Sequence, residues 1–354
     1  MINVNDVLIP DELIKDVVKN IEYNNIIAEY YEKLDSEVIG LNLIDKAERI
    51  KECNKFWIMD KYEKQKILDY KKTFLCKDKF CNNCKKVKQA SRMARFIPYL
   101  EQYKSDLYLL TLTVPNVFSD ELKPMIKIIF KAYKRLVEYL NLKKRIKGID
   151  FSKFNYKGSV RSLEVTFNED GTYHPHLHIA VVLDGYRGSI MNIINKYSYD
   201  YNVLKRLFSQ DEILIQKVWR LLIDGKEVNK KNIDELDIGY SCTLDKFYDT
   251  DYAEIFKYIT KATNDKDKVL TYDNFKTLYF SLYNVRQIQG YGCFYNIKDI
   301  DVNDEVDSVY DEIINELLKI ENPLEVSERP KDLLKSDYKK ISRKQIYKYL
   351  KGLK

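Results

Sequence analysis

His174, His176 and His178 are the three histidines of a 354-residue chain, and they occupy alternate positions of the stretch TYHPHLHIAVV. Strand side chains point to opposite faces with period two. On a strand the three imidazoles therefore share one face, and Pro175, Leu177, Ile179 and Val181 take the other. Imidazole is both the commonest metal ligand and the side chain that changes charge near neutral pH. Three on one face mark a site. Upstream, SVRSLEVTFN reads as a partner strand, joined through the turn chemistry of EDG. Its apolar residues Leu163, Val165 and Phe167 belong on the core face with Leu177, Ile179 and Val181, which puts Glu164 on the histidine face. A two-residue turn centred on Asp170 and Gly171 would instead set Glu164 opposite Leu177. An odd loop, such as three residues with Gly171 left-handed, sets it opposite His176 or His178, and that loop is expected. His176, His178 and Glu164 then form a divalent-metal site with open positions, where an ion can act as a Lewis acid on a phosphate oxygen. His174 shares the face as a further ligand or a supporting residue.

A second set of ligands is made of sulfur. CKDKFCNNC places Cys76, Cys81 and Cys84 in a C-x4-C-x2-C spacing, and Cys53 lies upstream in ECNKFW. A C-x2-C pair presents two thiolates to one tetrahedral ion, the geometry of structural zinc. The expected site is Zn²⁺ on Cys76, Cys81 and Cys84, with Cys53 as the fourth candidate; the alternative is a set of buried thiols. The basic, helix-forming segment KKVKQASRMAR follows at once. Its Lys85, Lys86, Lys88, Arg92 and Arg95 are candidates for contact with a DNA backbone.

A third constellation is DTDYAEIFKYITKAT. Asp251 can cap a helix, with Glu254 three residues on. Helical spacing then puts Glu254, Tyr258 and Lys261 on one face, beside an apolar stripe of Ile255, Ile259 and Ala262. A tyrosine can act as nucleophile and form a covalent intermediate, and a metal-polarised phosphodiester is a suitable electrophile. Lys261 can hold the phosphate or lower the phenol pKa, and Glu254 can serve as a base. The plain alternative is a capping glutamate, a solvated lysine and one of 29 tyrosines.

The elements that must position these groups follow from periodicity. Residues 1 to 50 read as helical. DLYLLTLTVPN reads as a strand ended by Pro115 and Asn116, and ELKPMIKIIFKAYKRLVEYLNLKKRI as an amphipathic helix. VLKRLFSQDEILIQKVWRLLI reads as helical, SCTLDKFY as a strand, and the last sixty residues as helical. This order predicts an α+β fold: a central antiparallel β-sheet with helices packed on one face. The expected divisions are an N-terminal helical region (1–52), a cysteine-rich zinc-binding and basic-helix region (53–104), a catalytic domain (105–296) and a C-terminal acidic-then-basic helical extension (297–354). Hydrophobic residues make up 45% of the chain and the net charge is +6, a mild basic lean that does not by itself establish nucleic-acid binding. No apolar run is long enough to span a membrane. The N-terminus lacks a signal-peptide pattern, so a cytoplasmic protein with no membrane partner is expected.

Taken together, the motifs resemble the HUH superfamily of single-strand DNA nickases, named for a histidine, a bulky hydrophobic residue and a histidine, here His176-Leu177-His178. More narrowly, the chain resembles the rolling-circle plasmid replication initiators of Gram-positive bacteria. LYLLTLTVPN matches the first motif, LEVT with YHPHLHIAVV the metal motif, and EIFKYITK the tyrosine motif, with Tyr258 and Lys261 as its Y-x-x-K. CKDKFCNNC and LYNVRQIQGYGCF are further likenesses, and the resemblance covers about residues 53 to 295. Conjugative relaxases usually carry the tyrosine before the histidines, whereas here it follows them. The resemblance implies a tyrosine transesterase in which Tyr258 nicks a single-stranded or extruded origin. That reaction leaves a 5′-phosphotyrosine and frees a 3′-OH for a host polymerase, with a host helicase as partner. It implies Mg²⁺ or Mn²⁺ on His176, His178 and Glu164. It also implies a single catalytic tyrosine, with Glu254 activating water to end the cycle. Two rival readings are a zinc-dependent, non-enzymatic DNA-binding regulator and a metal-dependent nuclease that acts through water alone.

Overall fold

The computed structural model describes residues 2–4, 7–9, 11–62, 67–72, 74–188, 193–201, 204–256, 270–297 and 337–342. The chain divides into two units, one of residues 1–91 and 300–354 and one of residues 92–299.

In the first unit, β1 (Ile2–Val4) and β2 (Val7–Ile9) form a short antiparallel pair before α1 (Asp11–Glu37) and α2 (Ile44–Lys51). Ile27, Tyr31 and Leu34 of α1 and Ala47 and Ile50 of α2 are fully buried, the apolar stripe expected of helices that cover a core on one side. β3 (Phe56–Tyr62) and β4 (Ile67–Lys72) follow as an antiparallel pair. α3 (Asn82–Glu101) starts in this unit, and the division between the units falls within it. A late strand, Asp337–Ser342, pairs with β3 on its other edge. This corrects the helical reading of the C-terminal extension for the described residues. Local composition favoured a helix, but the ladder offered by a strand far away in sequence decides the outcome, because strand preference depends on pairing context.

The second unit is built on β5 (Leu107–Thr113), α4 (Leu122–Leu140), β6 (Tyr156–Phe167) and β7 (Tyr173–Leu183). Next come the paired strands β8 (Ile193–Tyr201) and β9 (Leu204–Ser209), then α5 (Gln210–Ile223) and α6 (Lys230–Glu235). β10 (Cys242–Lys246), α7 (Asp251–Ile255), α8 (Tyr272–Ser281) and β11 (Ile288–Gly292) complete it, so that the Asp337–Ser342 strand is β12. The helix expected across VLKRLFSQDEILIQ starts only at Gln210. Ser209 and Glu212 form a reciprocal capping box there, with Glu212 N donating to Ser209 Oγ at 3.2 Å and Ser209 N to Glu212 Oε2 at 2.8 Å. Satisfying those end donors fixes the helix start and leaves residues 204–209 as a strand.

The expected α+β fold with an antiparallel central sheet is the one observed. Among the described residues the sheet has five strands in the order β10-β5-β7-β6-β11, every neighbour antiparallel. α4 and α5 pack together over its apolar face, where Tyr133 of α4 meets Ser159 of β6 at 2.6 Å. α8 reaches the same side, its Asn274 accepting from the Tyr173 hydroxyl at 2.7 Å. The opposite face is covered at one end by the C-terminal half of α3 and by α7. Phe96, Leu100, Tyr252, Ile255 and Phe256 pack there on Leu107, Val160, Ala180 and Val182. The histidines lie on that second face, just beyond its covered end.

Candidate metal and catalytic site

The hairpin between β6 and β7 closes with Asn168 N donating to Thr172 O at 2.8 Å, which leaves a three-residue loop of Glu169, Asp170 and Gly171. Gly171 takes φ +80°, a backbone region that costs glycine little. Asp170 Oδ1 accepts from Thr172 N at 2.9 Å and stiffens the turn. The loop is odd, as expected, and the register pairs Glu164 with His176 and Ser162 with His178. Leu163, Val165, Leu177, Ile179 and Val181 are buried on the other face. Sliding the hairpin by one residue would exchange these two sets, so burial of the apolar set holds the ligands in line.

One carboxylate oxygen, Glu164 Oε2, lies 2.9 Å from His176 Nε2 and 3.0 Å from His178 Nε2. Ligands bound at about 2.1 Å and at right angles stand about 3.0 Å apart, so these spacings suit adjacent positions around one octahedral ion. The tautomers point the same way. His176 Nδ1 lies 3.2 Å from the His174 carbonyl, an acceptor to which it can only donate. That leaves Nε2 with a lone pair facing a carboxylate, an arrangement that requires either a proton or a cation between them. His178 Nδ1 sits 3.4 Å from Thr111 Oγ1, because β5 pairs Thr111 directly with His178. Nothing in the spacing of β5 alone marks Thr111; its register against β7 does. The donor set of two imidazoles and a carboxylate therefore fits a divalent ion. His174 stands outside this group of three. Its ring meets that of His176 edge-on at 5.3 Å. Burial, and then the neighbouring His176, hold its pKa down at about 4.

Glu254 comes to this site from α7. Asp251 does not cap the helix. The N-cap is Thr250, and Asp251 Oδ2 accepts from Tyr248 N at 2.8 Å. Glu254 is accordingly not the far end of a capping box. Its Oε1 lies 3.3 Å from His178 Nε2. The turn is pinned by Phe256 stacked on Phe96 at 5.4 Å and by the Tyr252 hydroxyl donating to Glu101 at 2.6 Å. Tyr258 and Lys261, with Ile259 and Ala262, lie outside the described residues.

The cysteine cluster belongs to the first unit. Cys53, Cys76, Cys81 and Cys84 are all buried and converge. Sulfur separations are 3.4 Å for Cys81 and Cys53, 3.6 Å for Cys53 and Cys84, and 3.7 Å for Cys76 and Cys84. Four sulfurs about 2.3 Å from a tetrahedral ion would stand about 3.8 Å apart, so the donor set fits a soft cation and Cys53 completes it. Burial pushes the Cys81 thiol up, but hydrogen bonds from the other three thiols outweigh it and hold Cys81 well below the ordinary value. Asn24 Nδ2 donates to Cys81 Sγ at 3.3 Å and Lys77 N to Cys84 Sγ at 3.2 Å.

The basic helix is only partly a surface. Lys85 is buried, with Nζ 3.3 Å from the Tyr23 hydroxyl, and burial lowers its pKa to about 8. Arg92 is buried too, donating to Gln287 Oε1 at 3.2 Å. These two turn inward, which corrects their assignment as DNA contacts: a charge run does not reveal which of its members the rest of the chain covers. Lys88 and Arg95 are partly exposed, and the side chain of Lys86 lies outside those described. Among the described residues no helix is long and apolar enough to cross a membrane.

A family model described as replication protein matches residues 67–329. The chain is 27% identical over 281 residues to a Protein rep of Bacillus amyloliquefaciens, covering 76% of each. It is 33% identical over 162 residues to a Protein rep of Staphylococcus aureus, covering 44% of this chain and 64% of the relative. A third Protein rep, from a Bacillus species, is 27% identical over 260 residues, covering 72% of this chain and 78% of that one. No solved structure matches the chain.

Proposed function

The chain belongs to the replication protein family, and from that premise we propose that it is a rolling-circle plasmid replication initiator that nicks one strand of its origin through Tyr258. The phenolic oxygen of Tyr258 attacks the scissile phosphorus. The bond from phosphorus to the 3′ oxygen breaks, the 3′ oxygen leaves and takes a proton, and the 5′ phosphate stays on the tyrosine. The freed 3′-OH primes a host polymerase on a duplex opened by a host helicase.

The observation that carries this reading is the convergence of Glu164, His176 and His178 on one point, with Glu254 of the helix preceding Tyr258 at their edge. Those three residues would hold Mg²⁺ or Mn²⁺, and His174 would support His176 through its carbonyl. When bound, the ion supplies Lewis-acid polarisation of the scissile phosphate. Glu254 accepts a proton, from the Tyr258 phenol or from the water that ends the cycle. Lys261 holds the phosphate. The four cysteines would hold Zn²⁺ as a structural ion, since thiolates select soft cations. Lys86, Lys88 and Arg95 are the remaining backbone contacts of the basic helix. The protein works in the cytoplasm, with the origin in single-stranded or extruded form.

The test uses labelled single-stranded DNA tiled across the replicon that encodes the chain, purified protein and Mn²⁺, with chelator and Tyr258→Phe as controls. A denaturing gel should show label migrating with the protein, lost in both controls. Cleavage without an adduct would replace this reading by the water-dependent nuclease. Binding with neither cleavage nor adduct, on DNA known to contain the origin, would replace it by the non-enzymatic regulator.

A further inference from the structure

The outward side of α4 is a one-sign surface. Lys127, Lys131, Lys134 and Arg135 are all exposed, and their spacings of three and four keep them on one stripe of the helix. Over the 12 Å or so from Lys127 to Arg135, at about 1.5 Å per residue, the stripe carries no acid. Glu138, the sole carboxylate of α4, is taken up by Lys144 at 2.8 Å. Beyond the helix end, Arg145 and Lys147 are exposed as well. None of these six cations forms an ion pair with a described acid. Elsewhere in the same unit, helix cations pair with acids one turn away: exposed Lys230 with Asp234, exposed Lys231 with Glu235, and half-buried Arg220 with Asp224. On α4 the one acid within a turn of the stripe, Glu138 beside Lys134 and Arg135, is paired with Lys144 instead. Packing does not require the α4 pattern, because the buried side of the helix is supplied by Ile126, Ile129, Tyr133, Leu136 and Val137.

We propose that this stripe grips the sugar-phosphate backbone of double-stranded DNA. The partner must be a dense polyanion, and duplex DNA carries a charge about every 1.7 Å of its axis. Single-strand sites combine cations with exposed aromatic rings on which bases stack. The exposed positions of α4 carry Lys, Arg, Pro and Ile and no aromatic residue, so the stripe can read a backbone and cannot offer a stacking platform. α4 lies on the apolar side of the sheet, opposite the face that holds Glu164, His176 and His178, so this grip is separate from the metal site. It rests on the initiator reading only for the identity of the duplex, the one that carries the nicked strand.

The experiment compares the full chain with the triple variant Lys127→Gln, Lys131→Gln, Lys134→Gln and with its Lys→Arg counterpart. Binding to a labelled duplex is measured by anisotropy over a salt series, beside nicking of a single-stranded origin oligonucleotide and binding to anionic phosphatidylglycerol vesicles. With three phosphate-facing cations neutralised, the slope of log affinity against log salt should fall by about 2.7, at about 0.9 per phosphate. Duplex affinity should drop on the order of 10- to 100-fold, with single-strand nicking unchanged and the arginine variant near wild type. An unchanged duplex slope overturns the proposal. So does a wild-type chain that does not bind duplex, or a variant that loses vesicle binding while keeping duplex binding. If the wild-type chain binds duplex through the stripe but forms no tyrosine adduct, the grip stands and the nickase reading falls.

Discussion

Thr111→Val tests whether the strand opposite His178 tunes the candidate metal site. The substitution preserves shape and removes the hydroxyl. In the structure His178 is oriented at two ends: Nε2 faces Glu164 Oε2 at 3.0 Å, and Nδ1 faces Thr111 Oγ1 at 3.4 Å. A ligating imidazole is held in its metal-ready tautomer by the partner of its other nitrogen, and losing such a partner typically costs 10- to 100-fold in metal affinity. The 3.4 Å contact is longer than the 2.7–3.2 Å of a good N–H···O bond. The expected loss is therefore at the lower end, about 10-fold or about 1.4 kcal/mol. His176 should be spared, because its Nδ1 partner is a backbone carbonyl that no side-chain change removes. Calorimetric titration of Mn²⁺ into wild type, Thr111→Val and Thr111→Ser reads the effect directly, with a thermal melt as the folding check. Serine keeps the hydroxyl and should bind within about twofold of wild type. If valine binds Mn²⁺ as tightly as wild type in a folded protein, the orienting role of Thr111 is wrong. If serine and valine lose equally, methyl packing is the cause.

Glu164→Ala should abolish Mn²⁺ binding to the histidine face while metal bound by the cysteines stays, as read by metal analysis after dialysis. Glu254→Ala should impair termination more than nicking when the two are assayed separately; equal loss would remove its termination-specific role. Cys81→Ser should release the cysteine-bound metal and raise protease sensitivity within residues 11–91, with Mn²⁺ binding to the histidine face retained. Gly290→Ala should destabilise the chain by about 1–3 kcal/mol as an overpacking change, because a Cβ there would sit 2.0 Å from the Phe294 carbonyl oxygen. An unchanged melting temperature would contradict that crowding.

Much of the site was legible because it depends on parity. Alternation in LEVTF and HPHLHIAVV assigns each residue a face, and requiring both apolar sets to share one face fixes an odd loop and sets Glu164 opposite His176 or His178; the choice of His176 comes from the three-residue loop in the structure. The cysteine spacing was equally legible within one loop, whereas Cys53 joins only through the tertiary path that brings the end of α2 to the start of α3. What could not be read depends on partners distant in sequence. β12 is a strand because β3 offers it an edge. Lys85 and Arg92 are buried because other segments cover them. Glu254 could be read as a helix cap or as a site residue with equal ease, and only the position of α7 against His178 separates the two.

The division of labour across β7 has a consequence for how this protein tolerates mutation. Leu177, Ile179 and Val181 hold the fold together, while His176 and His178 do little for it and bring polar groups close to a carboxylate. A saturation scan of residues 176–179, before Ala180 and Val182 bring the histidine face into the core, should therefore read as two interleaved columns. Substitutions at the odd positions should lower the amount of folded protein and carry activity down with it. Substitutions at His176 and His178 should leave abundance level or raise it while activity disappears, since residues placed for function are often kept at a cost in stability. On the proposed initiator reading, a lineage could thus retune the site by changes in one column of that stretch without touching the one that keeps the chain folded.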